Sequence, residues 1–302
     1  MSEVRESYPE WIRETRLPAP PPPAGSCDTQ FHIFEDLARY PTKPSPPYAP
    51  PRATFADAKG MLAALGFSRG VIVHSVVYGS DHRLLLDTLE SLAPEEKTRF
   101  RATCILDDSV GDTEMARLDA AGVCAARINF VRYLSSTPAA SLVRRSFDRL
   151  REIGWHARLH VTADQLIENQ AFLDSVTDVP MVIDHMAHVG RHGGVEHPAF
   201  RWMLERLRRD NWWMMLSNGN RDSAMDSGWD DAVPIGRAFA EAAPERCIWG
   251  TDWPHPRWGK QRMMQEHETV ELLYRYVDHD SAMLQKILVD NPARLHGFRP
   301  VG

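Results

Sequence analysis

Short apolar runs alternate with longer amphipathic stretches along most of this chain, regularly enough to predict an architecture. The runs span about four to eight residues, rich in Val, Ile and aromatic side chains, and read as strands; the stretches between them repeat apolar positions at helical spacing. The first run is Cys27-Asp28-Thr29-Gln30-Phe31-His32-Ile33-Phe34. A proline-rich loop over residues 41–51 follows, with too few donors and too rigid a backbone for regular structure. Helices are predicted over 55–65, 81–92, 112–121, 139–153, 164–175, around 200–209 and around 234–243. Between and after them fall the strand candidates 70–77, 100–106, 123–130, 155–161, 182–186, 212–217 and 246–249. Eight strand–helix units at this spacing predict an α/β fold of the (β/α)8 TIM-barrel kind, one domain over residues 25–302. A doubly wound sheet would carry a glycine-rich phosphate loop after an early strand, and the sequence has none. Helices over 261–295 are expected to close the barrel, and residues 1–24, with Pro18 and the prolines of 20–23, to form an extended arm.

Composition narrows the class without naming a chemistry. Of the 302 residues, 43% are hydrophobic and 25% charged, as in ordinary globular proteins. A net charge of −6 argues against nucleic acid as a partner. No apolar stretch reaches the roughly 18–20 residues that span a bilayer, so no membrane partner is expected. The first ten residues hold three glutamates and no basic-then-apolar leader, which makes the cytoplasm the expected compartment. Cys27, Cys104, Cys124 and Cys247 stand singly in apolar runs without CxxC spacing and read as small buried hydrophobes. The apolar surface of helix 200–209 suits packing against the barrel or against a second copy, which leaves a homo-oligomer open.

Chemistry enters with the run Gly250-Thr251-Asp252-Trp253-Pro254-His255-Pro256. Its prolines turn the chain outward after the last strand, so Asp252 lies just past a strand end, a good place in a barrel for a general base. A lone aspartate there would more often be a turn or cap residue. Asp252 has company. Alternation points Gln30 and His32 the same way at the end of the first strand, and His160 and His185 each close a short apolar run. To these the strand ends add His74 or Tyr78, Arg127 inside an apolar run, and Arg221 in the loop after 212–217. A guanidinium in an apolar run must meet an anion, either a barrel carboxylate or a ligand; Arg221 is either a solvated charge or a second anion contact. Two arginines at one mouth suit carboxylate capture, so a small anionic molecule is the expected partner. Trp202, Trp212, Trp213, Met214 and Met215 read as packing, and His192 and His197 as solvated loop residues or part of a lid.

At this point the chain resembles the amidohydrolase superfamily, in the branch of 2-pyrone-4,6-dicarboxylate lactonase and the related sugar-lactone isomerases and hydrolases. The matching pieces are residues 28–34 with Ala38-Arg39-Tyr40-Pro41, then 66–73, Arg127-Ile128-Asn129-Phe130 and Trp155-His156. Ile183-Asp184-His185-Met186, residues 248–256 and Asn291-Pro292-Ala293-Arg294-Leu295 complete the match, which runs from about residue 24 onward. The resemblance implies a distorted barrel that opens a lactone without a cofactor or metal. It implies that Asp252 takes a proton from water, that His185 and His32 polarise the lactone carbonyl, and that Arg127 and Arg221 hold substrate carboxylates.

The departures from that pattern matter. Gln30 stands where the first histidine of a His-x-His pair is usual, and Val76 and Tyr78 stand for a serine and a histidine that touch substrate. A second arginine is replaced by Tyr133, with Arg132 adjacent, and a fifth-strand tyrosine by His160. With Gln30, Tyr78, Arg132 and His160 in the substrate-binding set, a lactone smaller or less charged than the pyrone dicarboxylate is expected. His160 also keeps a metal reading open: with His32 and Asp252 it offers three ligands for zinc or a similar divalent ion, and then hydrolysis or non-oxidative decarboxylation. Lactone isomerisation and a catalytically silent, anion-binding barrel are further readings.

Overall fold

Eight parallel strands follow one another around a barrel in sequence order in the computed structural model, which describes residues 9–134, 138–259 and 262–299. They are β1 (Cys27–Phe31), β2 (Arg69–Val73), β3 (Phe100–Cys104), β4 (Val123–Asn129), β5 (His156–His160), β6 (Met181–Ile183), β7 (Trp212–Met215) and β8 (Cys247–Ile248). Several predicted strands end early. Residues 74–77 leave the ladder because the chain turns at once, with Tyr78 N donating to Ser75 O at 3.1 Å. β6 stops at Ile183 and gives way to an irregular turn, although the residues beyond it are buried. Apolar character there reflects burial in the mouth and not pairing in a ladder.

The helices start where local chemistry asks them to. Thr54 and Thr162 each cap a helix, accepting from the backbone of Asp57 and Gln165, whose side chains reach back to the cap backbone. Trp202 packs edge-on against Trp212 at 5.2 Å between helix and barrel, and Trp213, Met214 and Met215 are buried as expected. Among the described residues no helix is long and apolar enough to cross a membrane.

β8 and β1 close the barrel loosely. Thr29 N donates to Trp249 O at 3.1 Å, Asp252 N to Gln30 O at 2.8 Å and His32 N to Trp253 O at 2.8 Å. Gly250 makes this approach possible, since a Cβ there would fall 2.5 Å from Gln30 N. Asp28 pins the same seam, accepting from Thr251 Oγ1 at 2.6 Å and from Thr251 N at 3.0 Å. Residues 9–24 run without regular structure over this region, with Trp11 edge-on to Trp253 at 4.8 Å and Arg16 paired with Glu271. The first eight residues of the expected arm, and residue 261 at the start of the expected closing helices, lie outside the described residues.

The cysteines do not all behave as small buried hydrophobes. Cys27, Cys104 and Cys247 are buried, but Cys124 is only partly so. The β3–β4 register passes from Ala102↔Val123 to Thr103↔Ala125, which makes Cys124 the additional residue of a bulge.

Candidate active site

The C-terminal strand ends surround a cavity of about 380 Å³. Among the described residues its wall carries four histidines (His32, His160, His185, His188), four arginines (Arg127, Arg191, Arg221, Arg257) and a single carboxylate, Asp252. The first half of the barrel supplies its groups from strand ends: His32 after β1, Ser75 after β2, Arg127 on β4 and His160 closing β5. The second half supplies them from turns.

Asp252 sits at φ 63°, a left-handed conformation that aspartate tolerates better than most residues. Both its oxygens are engaged. Gln30 Nε2 donates to Oδ1 at 3.2 Å, Asn218 Nδ2 to Oδ2 at 2.9 Å, His32 Nε2 stands 3.3 Å from Oδ1, and Arg221 lies 3.7 Å from Oδ2. Burial opposes the charge, but His185, His32 and Arg221 outweigh it and hold the carboxyl well below the usual range. His32 Nδ1 faces Val73 O at 2.7 Å, an acceptor only, so Nδ1 carries a proton and Nε2 is the atom presented to Asp252.

Beneath the mouth lies a fully buried ion cluster. Asp184 accepts from Arg127 Nε at 2.9 Å and from Arg158 Nη2 at 2.7 Å. Burial alone would raise its carboxyl, but Arg158 and Arg127 hold it down at about 2. Arg158 also donates to Thr29 O at 2.8 Å and to Gln30 Oε1 at 2.5 Å, so every side of a guanidinium with no exposed surface is paired.

After β6 the chain makes a turn in which four successive residues, His185 to His188, have φ between 51° and 54°. Left-handed backbone costs about 1–2 kcal/mol per L-residue, so side-chain anchors must hold the turn. His185 Nδ1 meets Ser217 Oγ at 2.7 Å, and His188 Nδ1 lies 3.0 Å from both oxygens of Asp222. The result is three imidazoles grouped at one wall: His160–His185 centroids are 5.5 Å apart, His185–His188 5.4 Å and His160–His188 5.9 Å. His188 Nε2 is buried with no hydrogen-bond partner. Arg127 Nη2 donates to His185 Nε2 at 3.1 Å. Burial pushes His185 down to about 3, so the ring is neutral near pH 7 and accepts from that arginine.

The sequence-predicted residues therefore divide. Asp252, His185, His32, Arg127, His160 and Arg221 all line the cavity. Gln30 does not: it is fully buried behind Asp252, bridging it to Arg158. Tyr78 is carried into the core by the turn after β2 and packs between Phe34 and His74. Arg132 points outward to pair with Glu168, while its neighbour Tyr133 lines the cavity beneath Arg257, 4.6 Å from the ring centroid. His74 is buried beside His82 and does not reach the cavity. His192 and His197 are not simply solvated, for each meets Asp164 at 3.0 Å. Sequence reasoning missed His188, Asn218, Arg191 and Arg257, which come from turns, and Tyr48, whose hydroxyl reaches Ser75 Oγ at 2.8 Å from the proline-rich loop.

The same geometry tests the metal reading. Gln30 has its oxygen committed to Arg158 and its amide nitrogen turned to Asp252, so the first strand offers one imidazole and no second ligand. Among the described residues, His32, His160 and Asp252 do not bring their donor atoms together within 4.8 Å; one trio does, Cys124, His156 and His296 at the other end of the barrel.

A parallel barrel with an ionised aspartate and a histidine cluster at its C-terminal mouth is the layout of a barrel hydrolase. The family model described as Amidohydrolase matches residues 27–298, and the chain belongs to that family. It is 31% identical to 4-sulfomuconolactone hydrolase of Hydrogenophaga intermedia, over 91% of this chain and 89% of that one. It is likewise 31% identical to 2-pyrone-4,6-dicarboxylate hydrolase of Comamonas testosteroni, over 96% and 97% of the two chains. A crystal structure of an Agrobacterium tumefaciens protein in its apo form shares the fold, with a TM-score of 0.83 at 24% identity over 94% of this chain and all of that one.

Proposed function

We propose that this enzyme hydrolyses a small lactone bearing two anionic groups, with Asp252 as general base and no metal at the mouth. The observation that carries the reading is the charge at the cavity wall: Arg127 pairs with Asp184, Arg191 with Asp222, and Arg221 approaches Asp252, yet the four lining arginines still outnumber these three carboxylates, and Arg158 behind them adds a fifth guanidinium. A net positive pocket of that kind suits a dianion. The names of the two relatives, one for a sulfo-lactone and one for a pyrone dicarboxylate, agree with it. This reading departs from the expectation of a smaller or less charged lactone, because Arg191 and Arg257 join Tyr133 in the wall from turns.

In this reading Asp252 takes a proton from a water as its oxygen adds to the lactone carbonyl. The oxyanion forms beside the Arg127 guanidinium, which the neutral His185 ring holds in place. His185 thus positions the electrophile and is not itself the donor. The ring C–O bond then breaks as His188, acting in this step as the imidazolium with its Nδ1–H on Asp222, gives its Nε2 proton to the departing oxygen; the new carboxylic acid returns that proton to His188 as it ionises. His32 Nε2 relays the proton held on Asp252 to solvent.

The test is proton release at constant pH with a panel of dicarboxylate and sulfo-carboxylate lactones. One acid equivalent per lactone consumed is expected, and Asp252→Asn should lower turnover by about 10²–10⁴-fold with unchanged circular dichroism. Wild-type turnover in that variant removes Asp252 as the base. Lactone consumed without acid release makes the reaction an isomerisation; thermal stabilisation by a lactone that is never consumed makes the barrel a binding protein.

A further inference from the structure

The opposite end of the barrel holds a second cluster that the hydrolytic site does not use. Cys124 near the start of β4, His156 at the start of β5 and His296 at the end of the helix Asn291–His296 bring one donor atom each within 4.8 Å of one another. Cys124 Sγ is 3.5 Å from His296 Nδ1, and the two imidazole rings stand 4.9 Å apart, edge to face. Three separate elements converge here, and one of them is re-aimed to do so. The bulge between β3 and β4 makes Cys124 the unpaired residue, and bulges commonly serve to redirect a side chain.

Two features point to a ligand at this cluster. Nε2 of His156 and Nε2 of His296 are both buried without a hydrogen-bond partner, which a folded protein rarely tolerates. The thiol meets only Ala102 O at 3.7 Å besides His296, a weak contact. Cys124 is partly exposed, so an ion can reach the site. The nearby cations are already engaged: Arg158 with Asp184, Arg101 with the carbonyls of Lys97, Phe100 and Gly297, and Arg69 with those of Gly25 and Val289. Their presence disfavours a hard ion that depends on charge and oxygen ligands.

We propose that Cys124, His156 and His296 form a structural site for a thiophilic transition-metal ion of the Zn²⁺ class, with water as the fourth ligand. On binding, the Cys124 thiol loses its proton to solvent and the thiolate supplies the charge that the site otherwise lacks. The ion ties β4 and β5 to the C-terminal helix, across the end of the barrel away from the cavity. The site is independent of the reaction proposed above.

The experiment uses the full chain, stripped with chelator and titrated with Co²⁺ in place of Zn²⁺. A thiolate-to-cobalt charge-transfer band saturating at one equivalent is expected. It should disappear in Cys124→Ser and in His296→Gln and persist in Asp252→Asn. Zn²⁺ should raise the thermal midpoint of the wild type and leave that of Cys124→Ser unchanged, while Cys124→Ser keeps its hydrolytic activity. No charge-transfer band at saturating Co²⁺ overturns the site. Cobalt that binds with d–d absorption but no thiolate band, unaffected by Cys124→Ser and lost in His32→Ala, overturns it too, by placing the metal at the mouth.

Discussion

The two halves of this barrel build their share of one cavity by different means. β1 to β5 deliver His32, Ser75, Arg127 and His160 from strand ends or within a residue or two of them, on ordinary backbone. β6 to β8 deliver His185, His188, Asn218, Asp252 and Arg257 from turns in which each of those residues has positive φ. Strand-borne groups inherit their aim from the ladder. Turn-borne groups must be held by partners below them, and the structure supplies those partners: Ser217 under His185, Asp222 under His188, and Gln30 with Asn218 under Asp252. The half that carries Asp252 is thus the half whose local backbone is costly.

Asp184 joins the two halves, and its loss should have the largest effect. Asp184→Asn leaves Arg127 and Arg158 buried without their shared charge, and a destabilisation of about 3–5 kcal/mol is expected by urea unfolding. A change under about 1 kcal/mol would mean that the halves stand independently. Next comes His188→Gln on the turn-built side. If the Asp222–His188 pair protonates the leaving oxygen, kcat should fall about 100-fold with KM little altered. A rise in KM at constant kcat would make His188 a binding residue instead.

The smallest effect belongs to the strand-built side and to pH. Burial holds His74 down to about 3 in the folded chain, against 6.5 as its ordinary value. Below pH 6.5 the unfolded chain binds a proton that the folded chain refuses, so His74 stability is full above that pH and is lost progressively toward pH 3. Between pH 6.5 and 5 the loss from this one residue is about 2 kcal/mol. Between the two pH values the unfolding free energy of the wild type, read by urea, should fall by about 2 kcal/mol more than that of His74→Phe; parallel profiles would show His74 protonating freely in the folded state.

The same contrast explains what could be read from sequence. A period of two along an apolar run fixes which side chains share a face, so His32, Arg127 and His160 were legible, as was the eight-unit barrel. Gln30 was placed on the correct face but at the wrong depth, because periodicity says nothing about how far a side chain lies below the mouth. Arg158 was missed although its signal was present: it sits two residues before His160, directly in register with Arg127, and Asp184 follows one strand later. A second buried guanidinium in register with the first demands a shared carboxylate. Among the groups on turns, Asp252, His185 and Arg221 were named from the runs that precede them, whereas His188, Asn218 and Arg257 were not, since their left-handed conformations depend on tertiary partners and leave no periodic trace.

The loose seam between β8 and β1 has a consequence for synthesis. Asp252 and His32 face each other across it, one from near the end of the chain and one from near its start. A nascent chain acquires all four cavity histidines and Arg127, Arg191 and Arg221 before Asp252 is made, and Arg257 only after it. Under the proposed mechanism, turnover therefore begins only when the last strand docks beside the first.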